Sequence, residues 1–355
     1  MPCNKCSKLP QVNFDNCQVY LYVPTEHHVE PIEEFLKDLN IGYSFFEDYF
    51  IFLVEDYKTF VEKLGRLGFN ALDQKDIRLM PMSKNQSLSY EALQNLKTLK
   101  AWLDFYAGET VIDVLAHERV VVHFQPIIDV SNQVIYGYEA LSRGIDENGH
   151  LISPQLLFSK AKTMGLLFFL DRFCREKVIE SAAALGIKEK LFINFLPSAI
   201  YNPKKCLKTT DQAVAKTSLK PNQITFEVVE TEYIEDFDHL NKILDYYKEK
   251  GYSTALDDLG SGYANKMSLM SISPDYMKID MKIIQGIHSN KLKQRKLREY
   301  LEISEVRNIR PLAEGIENKE DLKYVMDQGV ELVQGYYFAK PSENLVTLDL
   351  EKLIP

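Results

Sequence analysis

Residues 255–265 read ALDDLGSGYAN, an apolar segment that ends in two adjacent carboxylates, Asp257 and Asp258, and then breaks at Gly260 and Gly262. Neighbouring aspartates repel each other and resist burial, so a strand end that carries both needs cations to neutralise them. Other short apolar runs end in the same way, at Glu139, Asn194, Glu227 with Glu230, Lys278, Glu314 with Glu317, and Gln334. Taken singly, each reads as a helix N-cap, a solvated loop residue, a core amide or a salt-bridge partner. Converging in one place, so many acids would destabilise a fold unless a cation offset them. Carboxylate and amide ligands without His or Cys select hard ions, Mg²⁺ or Mn²⁺ and then Ca²⁺, over zinc. The aspartate pair can seat two ions, one of them shared, an arrangement that cleaves phosphodiesters by in-line attack of an activated water. The glycines let the following loop bend close to a substrate or partner.

Those residues need a scaffold that gathers strand ends. From Val120 onward, VVVHFQPII, VIYGYEAL, KLFINFL, ITFEVVE, YSTALDD, YMKID, IRPLAEG and LVQGYYFA alternate with amphipathic segments such as DRFCREKVIESAAAL and DHLNKILDYYKEKG. Eight strand candidates with helices between most of them predict an α/β fold, a (β/α)8 TIM-like barrel over residues 118–355. In such barrels the site is built at the C-terminal ends of the strands, where the polar residues fall.

The first part of the chain has a different rhythm. CQVYLYV, VEPIEEFLKDL, YSFFED, YFIFLVED, YKTFVEKLGRL and DIRLMP follow one another as strand, helix, strand, strand, helix, strand. That order predicts a small ferredoxin-like α+β domain over 17–82, after an irregular N-terminus at 1–16. With no convergent polar cluster of its own, it is expected to regulate or dimerise. Residues 83–117 read as a linker and a connecting helix from Ser89 to His117, with an apolar stripe at Leu96, Leu99, Leu103 and Tyr106. The stripe suits packing on the neighbouring domain or a dimer seam, and Gly108 weakens one continuous coiled coil.

A net charge of −9 over 355 residues argues against a protein held on a nucleic-acid polymer by a broad basic surface. It leaves a nucleotide substrate open, because bound cations reverse the field inside a cleft. No run approaches the ~20 apolar residues of a membrane span, and the first residues lack the apolar core of a signal peptide, so a cytoplasmic location is expected. Five scattered cysteines fit a reducing compartment. Cys3 and Cys6 have the spacing of half a zinc knuckle, which Cys17 with His27 or His28 would complete as a structural zinc site; a frayed terminus is the plainer reading.

FQPIIDVSNQVIYGYEALSRG, LFINFLP, FEVVETE, ALDDLGSGYANKMSLM, PDYMKID, LAEGIEN and VQGYYFAKP, in this order, resemble the EAL domain family of bacterial cyclic di-GMP phosphodiesterases over residues 115–350. The resemblance implies a barrel whose first strand is antiparallel to the rest. It implies hydrolysis of cyclic di-GMP to linear pGpG by a homodimer that uses two Mg²⁺ or Mn²⁺ ions and is inhibited by Ca²⁺. Carried over motif by motif, Glu139, Asn194, Glu227 and Asp257 ligate the first metal. Asp257 bridges to a second ion held with Asp258, and Glu314 lies nearby. Lys278 orients the attacking water, and Glu314 accepts its proton. Glu230 fixes the DDLGSGY loop and Glu317 is supportive. Arg143 meets a phosphate. Gln125 and Gln334 contact the dinucleotide, or else are buried amides that cap strand ends.

The departures spare these positions: Phe124 stands where Tyr is common, Val229 where a hydroxyl residue is, and Leu259 where an aromatic is. Loss of a hydroxyl and an aromatic near the loop bears on how the activity is set. The first rival reading is a catalytically inactive EAL receptor that binds cyclic di-GMP or a protein partner. A second is a barrel lyase with Lys278 as a Schiff base, which the surrounding acids oppose by raising the lysine pKa.

Overall fold

The computed structural model describes residues 9, 14–84, 89–228, 236–260 and 271–355. They form two compact units, one of residues up to Glu118 together with Gln155–Leu167, the other of Arg119–Pro154 together with Phe168–Pro355.

In the first unit, strands β1 (Asp15–Tyr22), β2 (Tyr43–Phe46), β3 (Tyr49–Asp56), β4 (Arg78–Ser83) and β5 (Lys97–Thr98) make one antiparallel sheet in the order β2-β3-β1-β4-β5. Helices Val29–Asp38 and Tyr57–Leu64 complete the expected β-α-β-β-α-β order. Period-2 alternation turns Val19, Leu21, Phe50, Phe52 and Val54 inward, with Ile32, Leu36, Phe60 and Leu64 of the helices also buried. The Asp56 carboxylate starts the second helix by accepting from Thr59 N at 3.1 Å.

The helix expected from Ser89 to His117 is broken up. Tyr90–Leu93 is a single turn, Lys97–Thr98 joins the sheet as β5, and Leu99–Ala107 and Glu109–Ala116 are separate helices that meet at Gly108. A Cβ at Gly108 would collide with the Met164 side chain, so glycine here permits close packing where two helices turn. The stripe fails at its first position, since Leu96 is exposed. Trp102 anchors the segment instead: its indole donates to Leu79 O at 3.1 Å, and its ring sits edge-on to Phe14 and Tyr57. These helices belong to the core of the α+β unit.

The second unit is a closed barrel of eight strands: β6 (Val120–Asp129), β7 (Val134–Ile145), β9 (Lys190–Phe195), β10 (Ile224–Val228), β11 (Ser253–Leu259), β12 (Tyr276–Ile279), β13 (Arg310–Ala313) and β14 (Leu332–Val333). The short β8 (Leu151–Ile152) pairs only with β7. β6 runs antiparallel to both its neighbours, β7 and β14, and every other pairing around the barrel is parallel, as expected. Helices Leu167–Ala184, Lys208–Ala215, Phe237–Glu249, Lys291–Arg307 and Lys319–Asp327 connect successive strands.

The barrel holds two separate apolar layers. Leu191, Ile193, Phe226, Val228 and Leu256 join the large core cluster that includes helix residues such as Ile179, Leu240 and Leu297. Ile127, Phe192, Ala255, Tyr276, Leu312 and Leu332, one from each of six strands, form a second cluster that plugs the interior. Among the described residues, no helix is long and apolar enough to cross a membrane.

Candidate metal centre

Six polar residues of the mouth stand one pleat from that plug. Two residues along a strand return to the same face, so Phe192 leads to Asn194, Ala255 to Asp257, Tyr276 to Lys278, Leu312 to Glu314 and Leu332 to Gln334. In the antiparallel β6 the direction reverses, and Ile127 is followed outward by Gln125, which pairs with Glu139 of β7. Glu227 of β10 pairs with Asn194 of β9.

β11 departs from regular pairing where chemistry is densest. Leu256 pairs with Met277 and Leu259 with Ile279, so Asp257 and Asp258 together face the single residue Lys278. This is a β-bulge, a device that re-aims side chains. Asp258 adopts φ +55°, a left-handed conformation that aspartate tolerates better than most residues. Gly260 follows at φ +103°. The result is that Asp257 and Asp258 both offer oxygens at the mouth, within 4.8 Å of each other and of a Glu314 oxygen.

Lys278, only 1% exposed, is the hub. Its Nζ lies 2.8 Å from Glu314, 3.0 Å from Glu227, 3.0 Å from Asp257 and 3.3 Å from Glu139. Burial works against its charge, but the four acids outweigh burial and hold its pKa well above the usual lysine value. One ammonium cannot balance this many carboxylates. Burial drives Glu227 and Glu314 well above the ordinary range and raises Asp257; it pushes Asp258 up to about 7, with the charge of Asp257 adding to it. Glu139 goes the other way: burial is outweighed by Lys278, Gln334 and Asn194, and its pKa is lowered.

Two carboxylate triads share Asp257. Glu139, Glu227 and Asp257 form one and Asp257, Asp258 and Glu314 the other, each with ligand oxygens within 4.8 Å of one another. Glu227 Oε1 has only the ion pair with Lys278, and Oε2 is buried without a partner. A divalent cation would satisfy that oxygen, and the all-oxygen donors suit Mg²⁺ or Mn²⁺.

The remaining expected residues divide by position. Gln334 Nε2 donates to Glu139 at 2.6 Å and to Gln125 at 3.1 Å, and Gln125 donates to Ala339 O at 3.3 Å, so both amides are buried and orient Glu139. Gln334 Oε1 is buried with no hydrogen-bond partner. Asn194 Nδ2 reaches Glu139 at 3.4 Å. Arg143, half-buried, lies four residues beyond Glu139 on the same face of β7 and donates to Ser142 O at 3.0 Å. Glu317 is exposed and accepts from Gln285 at 3.0 Å, outside both triads. Glu230 and Gly262 lie outside the described residues.

Three supporting residues escaped the sequence reading. Asp171, in the helix Leu167–Ala184, accepts from Leu196 N at 3.0 Å and so pins the strand end that carries Asn194, while the fully buried Arg175 donates to Asp171's other oxygen. Their four-residue spacing within the apolar LDRFCREKV run was the available signal. Asp280 caps the turn Met281–Ile284 by accepting from Lys282 N at 2.6 Å, and its charge adds to the upward shift of Asp258.

The expected zinc ligand Cys17 is not beside His27 and His28. It sits on β1 with its thiol in the apolar core, where burial pushes its pKa up to about 12. The histidines group with Asp73 instead, and Cys3 and Cys6 lie outside the described residues.

The profile of the family described as EAL domain matches residues 109–341. The chain is 28% identical over 238 residues to cyclic di-GMP phosphodiesterase PdeF of Escherichia coli, covering 66% of this chain and 32% of that protein. It is 29% identical over 243 residues to the probable cyclic di-GMP phosphodiesterase PdeG of the same organism, covering 66% and 46%. It thus spans about a third to a half of the length of these relatives. A crystal structure of a standalone versatile EAL protein from Vibrio cholerae in its c-di-GMP-bound form superposes with TM-score 0.60 at 39% identity, covering 65% of this chain and 96% of that one. Klebsiella pneumoniae BlrP1, in a calcium/cyclic di-GMP complex, shares the fold at 20% identity and TM-score 0.60 over 94% of this chain and 98% of its own. The match spans most of the barrel and more than half of the chain, and the chain belongs to the EAL domain family.

Proposed function

We propose that the barrel hydrolyses cyclic di-GMP to linear pGpG with two Mg²⁺ or Mn²⁺ ions. The observation that carries this reading is the place of Asp257 in two carboxylate triads, one of which holds Glu227 with its buried, unpartnered Oε2. Glu139, Asn194, Glu227 and Asp257 would hold one ion, and Asp257, Asp258 and Glu314 the other. When bound, two such ions supply a water activated near neutral pH and a clamp on the attacking and leaving oxygens of an in-line displacement.

The chain's own groups do the rest. Lys278, rigidly held among four acids, orients the attacking water. Glu314, whose affinity for protons is raised by burial, accepts the water's proton. The planar fork of Arg143 meets a phosphate oxygen. Gln334 offers its unpartnered Oε1 to a donor on the dinucleotide, Gln125 holds Gln334 in place, and Glu317 supports the rim. Glu230 fixes the loop that follows Asp258. Ca²⁺, with the same taste for oxygen ligands but a looser geometry, would compete and inhibit. We assign the protein to the cytoplasm as a homodimer, with the N-terminal unit in a regulatory or dimerising role.

The deciding experiment follows linear dinucleotide from cyclic di-GMP in Mg²⁺, Mn²⁺ or Ca²⁺, beside Lys278→Ala. Product that needs Mg²⁺ or Mn²⁺ and disappears in the variant is expected. Tight binding without product in any ion would make the protein a receptor.

A further inference from the structure

We propose that His27, His28 and Asp73 form a binding site for a transition-metal ion of the zinc class in the N-terminal unit. The two histidines lie in the one-turn helix Glu26–His28, ahead of the helix Val29–Asp38, and Asp73 opens the turn Asp73–Asp76 just before β4. One ligand atom from each lies within 4.8 Å of the others.

Buried His28 and partly exposed Asp73 are each contacted through the atom away from the gap. Asp73 Oδ2 accepts from Asn70 N at 3.0 Å, which leaves Oδ1 facing His28. Thr25 Oγ1 lies 2.6 Å from His28 Nδ1 and 3.1 Å from His27 Nδ1. A hydroxyl has one proton and cannot donate to both imidazoles, and the site we propose uses the tautomer in which His28 Nδ1 donates to it. His28 Nε2 then carries a lone pair. It is buried, lies 3.1 Å from Asp73 Oδ1 and meets no hydrogen-bond partner in good geometry.

In that tautomer two lone-pair donors face each other across the gap, and a metal cation between them would satisfy both. Donors on a tetrahedral ion with bonds of about 2.0–2.1 Å stand about 3.3 Å apart, close to the spacing seen. A hydrogen bond from the far ring nitrogen is also the usual companion of a metal-binding histidine. The Phe69 ring, 5.7 Å from that of His28, flanks the site with apolar surface. Two imidazoles and one carboxylate suit zinc, where the all-oxygen barrel cluster suits magnesium. A fourth position remains for water or for a ligand from outside the chain. The ion would tie the turn after β1 to the turn before β4.

The test uses untagged full-length protein in excess Mg²⁺, which occupies hard oxygen sites, titrated with Zn²⁺ against a chromophoric chelator. Wild type should bind about one zinc more than Asp73→Asn or His27→Ala, or bind that zinc at least about ten-fold more tightly. These positions are less buried than His28, so the comparison does not depend on a variant that fails to fold. X-ray absorption of the zinc-loaded wild type should show imidazole scattering. Equal zinc number and affinity in wild type and Asp73→Asn, the result expected if zinc went only to Cys3 and Cys6, would overturn the site. So would a coordination shell without imidazole.

Discussion

Asp257 and Lys278 meet at 3.0 Å across a bulge in which two aspartates face one lysine. The same irregularity that gives Asp257 its cationic partner delivers Asp258 to the mouth, so the pairing defect and the two-seat cluster have a single origin.

Removing the hub should abolish turnover while leaving the barrel closed. Lys278→Ala is expected to lower kcat by at least about 100-fold, the scale of a lost proton-handling or charge-stabilising group. Steady-state kinetics in saturating Mn²⁺ check this, and activity within ten-fold of wild type would remove Lys278 from the proposed chemistry.

Glu227→Gln should separate metal affinity from fold stability. The raised pKa of Glu227 means that its ionised form destabilises the metal-free fold above the carboxylate's unfolded value of about 4.3, increasingly as pH rises toward the folded value. At neutral pH the metal-free variant should therefore melt higher than wild type, by about 2–4 °C per kcal/mol relieved. Added Mg²⁺ should raise the wild-type Tm more than that of the variant. Equal responses to Mg²⁺ would count against Glu227 as a ligand.

Gly335→Ala tests how tightly the strand end after Gln334 is packed. A Cβ there would overlap the backbone of Ile316, whose N–H donates to Gln334 O at 3.0 Å. Backbone cannot swing aside as a side chain can, so a loss of about 2 kcal/mol or more in denaturant unfolding is expected, together with weaker substrate binding. A variant as stable as wild type would show that this segment yields.

Asp321 supplies the acid-side prediction. Its fully buried carboxylate accepts from Gly286 N at 2.7 Å, Asn318 Nδ2 at 2.8 Å, His288 N at 3.1 Å and His288 Nδ1 at 2.7 Å. Burial alone would raise its pKa, but these donors outweigh burial and lower it. The resulting stability is present above the unfolded value of about 3.9 and is lost as pH falls through the depressed folded value. Asp321→Asn should cost about 2 kcal/mol at pH 7, and the gap should close toward strong acid. A pH-independent difference would assign the effect to packing.

The barrel was legible because its strand segments are short, apolar and followed by polar residues, whereas the reversal of the first strand came only from the resemblance to the family. The convergence of Glu139, Glu227, Asp257, Asp258, Lys278 and Glu314 follows from those ends once the strands close. What could not be read is what depends on pairing across strands. The bulge at Asp257 and Asp258 is a mismatch with β12, invisible along β11 alone. Gln125 and Gln334 lie far apart in sequence and reveal their bond only when β6 and β14 are neighbours. The spacing of Asp171 and Arg175 marks their pairing, but the backbone N–H of Leu196 that Asp171 accepts from leaves no mark in a side-chain pattern. The stripe at Leu96 to Tyr106 misled because aromatic packing around Trp102 and the pairing of Lys97–Thr98 with β4 outweighed local helical periodicity.

The plug of Ile127, Phe192, Ala255, Tyr276, Leu312 and Leu332 makes the barrel a cul-de-sac. Nothing as large as a dinucleotide can pass through it, so whatever arrives at the ring of acids must depart by the same doorway. Arrival and departure therefore exclude each other: under the proposed hydrolysis, each product would have to clear the mouth before the next molecule could be seated.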